Sequence, residues 1–323
     1  MHATRNLALA LVFVPRLAFG YGESDSAGRP SLKERLTIVL TNQARQDPHA
    51  WPGWDTSLAT PIPRPPVGEE PSLLEAARFH SDDMAKTGHF AHESSDGTPF
   101  PTRLARFFDG SGGENILVGD DDPRRALTAW MGSDGHRANI LDSSYTHLGA
   151  GRTVGALGTY YVQDFGVVAR NRIPAIPSAS AEILGASMKL VANYFDSAAS
   201  GPRSMRAAIA GSCLDLSAIA GPPGNQTFMV EGPKPSGCEP LVFFAESSSA
   251  DLTRYPSSGA ILVGTNCAKD FDATLSATPC DADRPVIDAE KSGCNETGSV
   301  SPWLAFASAA LLMARVDRFR RPR

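Results

Sequence analysis

The sequence predicts an α+β protein: a unit of amphipathic helices closed by a two-stranded hairpin, then an all-β sandwich. Three observations carry this. Two helix-start signatures, Ser31-Leu32-Lys33-Glu34 and Ser72-Leu73-Leu74-Glu75, each open an apolar pattern of helical period. The stretches HLGAGRTV and TYYVQDFGVV alternate in polarity on either side of Gly-Ala-Leu-Gly. Beyond residue 180, short apolar segments recur between Gly, Pro, Ser and Asn clusters.

In chain order, residues 1–20 read as a secretory leader: Arg5, the apolar run Leu7 to Val14, and small residues at Ala18 and Gly20 before a cut near Gly20. The first helix follows Ser31. WPGWDTSLATPIPRPPVGEEP is a Pro- and Gly-rich loop, and the helix expected from Ser72 ends at Gly88, a residue suited to the left-handed helix terminus. Leu73, Ala77, His80 and Met84 recur at spacings of four, three and four, so His80 faces inward beneath any neighbouring cleft. A long loop is expected next. Asp122 and Pro123 then cap a third helix, with Leu127, Trp130 and Met131 on one face, which stops before Gly135. The hairpin completes a unit spanning residues 32–170, 171–180 form a linker, and 181–285 form the sandwich, expected to be immunoglobulin-like. Tyr255-Pro256-Ser257-Ser258-Gly259 reads as a turn before a strand.

At 323 residues and 42% hydrophobic content the chain can fill the cores of two domains, and a net charge of −5 leaves no broad basic surface for nucleic acid. The C-terminus carries WLAFASAALLMA (Trp303 to Ala314) followed by five arginines. As helix that run is about 18 Å long, short of a hydrocarbon core of ~30 Å, but an apolar run closed by arginines can hold a tail at the membrane. Residues 292–323, with Ser292-Gly293-Cys294 ahead of the apolar run and the arginine cluster, resemble MYXO-CTERM, the tripartite sorting signal of myxobacterial surface proteins. The resemblance implies export and sorting machinery as partners and a destination at the cell surface or outer membrane, or release.

All five cysteines lie after residue 210. With Cys294 assigned to the sorting signal, Cys213, Cys238, Cys267 and Cys280 remain for two disulfides in an oxidising compartment. Three connectivities are open. The shortest loops favour Cys213 with Cys238 and Cys267 with Cys280.

Six of the seven histidines fall in the first unit: His49, His80, His89, His92, His136 and His147. Crowded into one domain with Glu114, they suggest a metal or acid/base site. Two standard motifs are absent. GHFAHE lacks the HExxH pattern, and Gly132-Ser133-Asp134-Gly135 lacks the G-x-S-x-G elbow, so Ser133 reads as a helix-terminal polar residue rather than a nucleophile.

HSDDMAKTGHFAHESSDGTPF, GENIL, ALTAWMGSDGHRANIL, HLGAG and YYVQDFG, in that order, resemble the bacterial, YkwD-like branch of the CAP superfamily, also called SCP domains. The resemblance covers roughly residues 32–170 and implies an α-β-α sandwich with a cleft of two histidines and two acids. Its first histidine falls on His92, the acid of its GEN motif on Glu114 and its second histidine on His136; its second acid falls on Ser133, a departure from the pattern. Two imidazoles and one carboxylate can hold Zn²⁺ or another divalent cation. Without the second acid no nucleophile or oxyanion hole is evident. Asn115 and Arg137 are placed to brace the cleft. The expectation is a cell-surface binding module whose cleft takes a divalent cation or a small apolar ligand, with a lipid, peptide or cell-wall component as partner. The alternative is a secreted metal-dependent hydrolase.

Overall fold

Ser31 starts the first helix, α1 (Leu32–Gln46): its hydroxyl accepts from Glu34 N–H at 3.3 Å and the Glu34 carboxylate accepts from Ser31 N–H at 2.7 Å, the reciprocal pair the sequence predicts. The computed structural model describes residues 28–51, 62–169, 173–275 and 280. The leader (1–20) and the tail (292–323, with Cys294) lie outside the described residues.

Strand β1 (Gly68–Glu69) leads into α2 (Pro71–Thr87), which starts earlier than expected. Its cap is Glu70, whose carboxylate accepts from Ser72 N–H at 3.4 Å, and Ser72 and Glu75 form no capping box. Pro71 explains the shift, since its fixed φ and missing N–H suit the first helical position. Gly88 ends α2 with φ of 72°, and Leu73, Ala77, His80 and Met84 form its buried face as predicted. The expected long loop contains a short helix, α3 (Phe100–Leu104), and a full strand, β2 (Gly112–Gly119). Helix α4 (Pro123–Met131) is capped by Asp122 as expected. The chain does not then enter a turn: a second helix, α5 (Asp134–Leu141), follows at once. Gly135 lies in its first turn, and Ser133 is the residue before the helix rather than a C-terminal one.

Strands β3 (His147–Gly155) and β4 (Gly158–Gly166) form the predicted hairpin. The sheet order is β1-β3-β4-β2, and alternate residues of β4 bury on opposite faces. Tyr160 and Val162 pack with Ala77 and Met84 of α2. Tyr161 and Phe165 pack with α1, α4 and α5 through Leu36, Ala126, Trp130 and Ile140. The result is the α-β-α sandwich. Two glycines make it possible on the α2 side: a Cβ on Gly149 would lie 2.0 Å from Leu73 C, and one on Gly151 would lie 2.2 Å from Ala77 O.

The second unit consists of β5 (Ala179–Leu184), β6 (Ser187–Phe195), β7 (Ser204–Ile209), β8 (Ser212–Asp215), β9 (Ser217–Ala220), β10 (Asn225–Pro233), β11 (Cys238–Glu246), β12 (Leu252–Tyr255), β13 (Ala260–Gly264) and β14 (Phe271–Asp272). Strand β5 begins inside the segment read as linker. One sheet runs β5-β6-β10-β9, the other β14-β13-β11-β7-β8 with β12 on β11. Leu190, Tyr194 and Phe228 of the first pack against Ile209, Leu241, Phe243 and Ile261 of the second, so the sheets share one core.

The disulfides correct the sequence expectation. They join Cys213 to Cys280 and Cys238 to Cys267, with Cα separations of 5.8 and 5.0 Å. Cys238 lies opposite Gly264 in the β11/β13 ladder, which carries Cys267 across to it. Cys213, on β8, is separated from β11 by β7. Two strand spacings are about 9.6 Å, beyond the reach of a disulfide between adjacent Cβ vectors.

Helix α1 is the shared wall of the two units. Leu36, Ile38, Leu40 and Ala44 face the first core, while three hydrogen bonds reach the second unit: Asn42 Nδ2 donates to Ser178 Oγ at 3.0 Å, Asn193 Nδ2 donates to Val39 O at 3.3 Å, and Thr227 Oγ1 donates to Gln46 Oε1 at 2.5 Å. Among the described residues no helix is long and apolar enough to cross a membrane.

Candidate functional site

The site grows from one cross-strand pair. Glu114 of β2 lies directly opposite Asp164 of β4, on the same face as Ile116 and Val162, beneath α2. Both carboxyls are buried, Asp164 completely. Two charges at that separation in a dry site cannot both be kept. Arg103 of α3, fully buried, donates through Nη2 to Glu114 Oε2. Burial first, and then the neighbouring Glu114 carboxylate, raises the Asp164 pKa well above its ordinary value.

Three histidines surround this pair in different ways. His92, on the loop after α2, is half exposed and sets Nδ1 2.8 Å from Glu114 Oε1. That hydrogen bond raises the His92 pKa, against a smaller effect of burial. His80 is wholly buried, as the helical spacing predicts; its Nε2 donates to Ala91 O at 2.9 Å and lies 3.8 Å from Glu114 Oε2. Burial brings its pKa down to about 4 in spite of Glu114, so it is neutral, and its Nδ1 has no partner among the described residues. His136 of α5 is half-buried, and both burial and the nearby His92 lower its pKa.

The backbone carrying His136 is fixed from below. Asn115 Nδ2 donates to His136 O at 3.1 Å and to Gln163 Oε1 at 3.0 Å, and Asn139 Nδ2 donates to Glu114 O at 3.1 Å. Gln163 Nε2 in turn donates to Thr41 Oγ1 of α1 at 2.7 Å. Arg137 braces the α4/α5 junction, donating to Met131 O at 2.8 Å. Arg103 Nη1 donates to His92 O at 2.7 Å, so one guanidinium fixes both the base loop and the acid.

The structure brings His92, Glu114 and His136 into one region, with His80 behind them, but it does not arrange the first three as metal ligands. Both oxygens of Glu114 are engaged, one by His92 and one by Arg103. Among the described residues no group of three His, Cys, Asp or Glu is placed to hold an ion. A three-ligand cation site of His92, His136 and Glu114 therefore does not fit the donors present. Ser133, where the resemblance expects an acid, makes no side-chain capping bond. His49 and His89 are exposed, and His147 of β3 is buried beside Gly68 of β1, on the far side of β4 from Glu114. Sequence reasoning missed Arg103 and Asp164. The signal available for Asp164 was an acid in register with the apolar Tyr160 and Val162, on a strand face that α2 must cover.

Comparisons with known proteins concern this unit. Residues 40–165 match the family model for the cysteine-rich secretory protein family, CAP. The protein YkwD of Bacillus subtilis is 36% identical over 139 residues, which cover 42% of this chain and 47% of YkwD. The membrane protein YlbC of the same organism is 38% identical over 93 residues, 28% of this chain and 26% of YlbC. The chain thus spans about half of one relative and a quarter of the other. An extracellular protein containing an SCP domain from Bacillus anthracis is 28% identical, with a TM-score of 0.34 and coverage of 42% of this chain and 40% of that one. A cysteine-rich secretory protein from Staphylococcus aureus is 19% identical, with a TM-score of 0.30 and coverage of 42% and 38%.

Proposed function

From the premise that this chain carries a CAP domain homologous to that of YkwD, we propose that it is an exported binding module and that His92 and His136 form its recognition pair. One observation carries the reading: buried Glu114 engages His92 through Nδ1, which leaves the other nitrogen of this half-exposed ring free of Glu114, in a region shared with His136. Such a carboxylate–imidazole contact fixes the tautomer and orientation of a ring that binds through its remaining nitrogen. The binding partner in this reading is an extracellular lipid, peptide or cell-wall component. A divalent cation such as Zn²⁺ would meet two imidazoles and no free carboxylate, which makes a weak, open site.

Export is supported by the two disulfides, which persist in oxidising compartments, and by the leader-like residues 1–20. Sorting through residues 292–323 is part of the same proposal. Mass spectrometry of the mature protein is expected to find the chain ending near Cys294, and an intact Trp303 to Arg323 segment rejects it.

The second reading, a secreted hydrolase, is favoured by the His92–Glu114 dyad, since a histidine with a raised pKa can act in proton transfer. Titration calorimetry of the full chain with Zn²⁺ and a screen of peptides and peptidoglycan separate the two. Binding lost in His92→Ala and His136→Ala, without turnover, supports the module. Turnover that disappears in both His92→Ala and Glu114→Gln replaces it with the hydrolase, and no binding to cation or substrate set removes the recognition pair.

A further inference from the structure

Away from that cleft, a second convergence of polar groups lies between the two units. A cavity of ≈ 330 Å³ is lined by Arg29, Arg35, Glu69, His147, Arg254 and Tyr255 together with small and apolar residues. The first four come from the N-terminal unit and the last two from β12 of the sandwich.

Arg35 is the central group. Its side chain is 1% exposed; Nη1 donates to Tyr255 Oη and lies 3.8 Å from Glu69 Oε1. Its Nε and Nη2 have no hydrogen-bond partner among the described residues. Arg254 donates through Nη2 to Gly259 O at 2.7 Å while its Nε has none. Arg29 donates to Ser258 Oγ at 3.0 Å. The Phe271 ring lies 4.7 Å from the Arg29 guanidinium and 5.8 Å from that of Arg35, which offsets part of the charge without satisfying a donor.

Three arginines therefore line a cavity that offers one carboxylate. That carboxylate, Glu69, already accepts from Tyr255 Oη. A buried donor left unpaired costs about 1–3 kcal/mol. Natural structures keep few of these, and three on two arginines around one cavity call for an acceptor. Guanidinium donors in a planar fork match the oxygens of a carboxylate or phosphate, and the volume admits a small molecule rather than a polymer.

We propose that this junction is a binding site for a small oxyanion ligand, a carboxylate or a phosphate, held by Arg29, Arg35 and Arg254 between the two units. The ligand stabilises both units at once because each supplies part of the wall. The site is independent of the His92 cleft.

The test uses the full chain, with potassium phosphate and sodium citrate as probes against sodium chloride at matched ionic strength, read by calorimetry and thermal midpoint. The expected result is saturable binding of at least one probe, at least tenfold weaker in Arg254→Gln and in Arg29→Gln, while His92→Ala binds as the wild type does. Both substitutions lie on partly exposed side chains, and the probe-free thermal midpoint of each variant checks that its fold is kept. Phosphate alone identifies a phosphate-type ligand and citrate alone a carboxylate-type ligand. A midpoint shift no larger than that of chloride, or equal binding by wild type and Arg254→Gln, overturns the proposal.

Discussion

His80 and His92 touch the same carboxylate and titrate in opposite directions. His80 is held neutral by burial, with a folded pKa of about 4 against an ordinary 6.5. The unfolded chain takes up that proton first as pH falls, so stability present above pH 6.5 is lost between there and pH 4, on the order of 3 kcal/mol. The His92 shift has the other sign: its contact with Glu114 stabilises the fold below the ordinary histidine range and is lost as pH rises through the raised folded pKa. Ring resonances followed by NMR are expected to show His92 titrating above the ordinary value and His80 unchanged down to pH 5. In Glu114→Gln the His92 value is expected to fall; a value still raised in that variant would falsify the assigned cause. The histidines and Glu114 were legible because their motifs survive in order along the chain. Asp164 and Arg103 were not, because only the pairing of β2 with β4 and the placing of α3 show which charges share a dry space.

At the scale of elements, the packing of α2 on β3 depends on what two positions lack. Gly151→Ala puts a methyl group 2.2 Å from Ala77 O, so the helix must move off the sheet. The expected loss is at least about 3 kcal/mol in chemical denaturation, against about 1 kcal/mol for Ser31→Ala, which removes only a helix cap. A Gly151→Ala loss below that of Ser31→Ala means that α2 can shift without cost. The sequence signalled α1, α2, α4 and the hairpin through caps and periodicity. It hid β2, whose glycine-rich start shows no alternation and which is an edge strand, and it hid α5, whose first turn contains Gly135. Both are held in place by tertiary bonds, from β4 and from Asn115, that leave no local pattern.

Across the whole molecule, helix α1 belongs to both units. Its first turn is tied to the residue before β14, with Leu32 N–H donating to Asp270 Oδ2 at 2.8 Å, and to β5, with Ser180 Oγ donating to Leu32 O at 2.8 Å. The full chain is therefore expected to unfold in one calorimetric transition despite its two cores, and residues 28–169 alone to lack a cooperative one; two separate transitions of the full chain count against this. Peptide mapping under non-reducing conditions is expected to return the Cys213–Cys280 and Cys238–Cys267 peptides. The pairing was beyond sequence reasoning because loop length ranks only the entropy of closure, whereas strand order decides which thiols meet. The shared helix also sets a timetable. Helix α1 precedes the second unit in the chain, so Asn42 has Val67 as a partner early, but Ser178 and Thr227 reach Asn42 and Gln46 only later in synthesis. Until β10 arrives the contact between α1 and the second unit is incomplete.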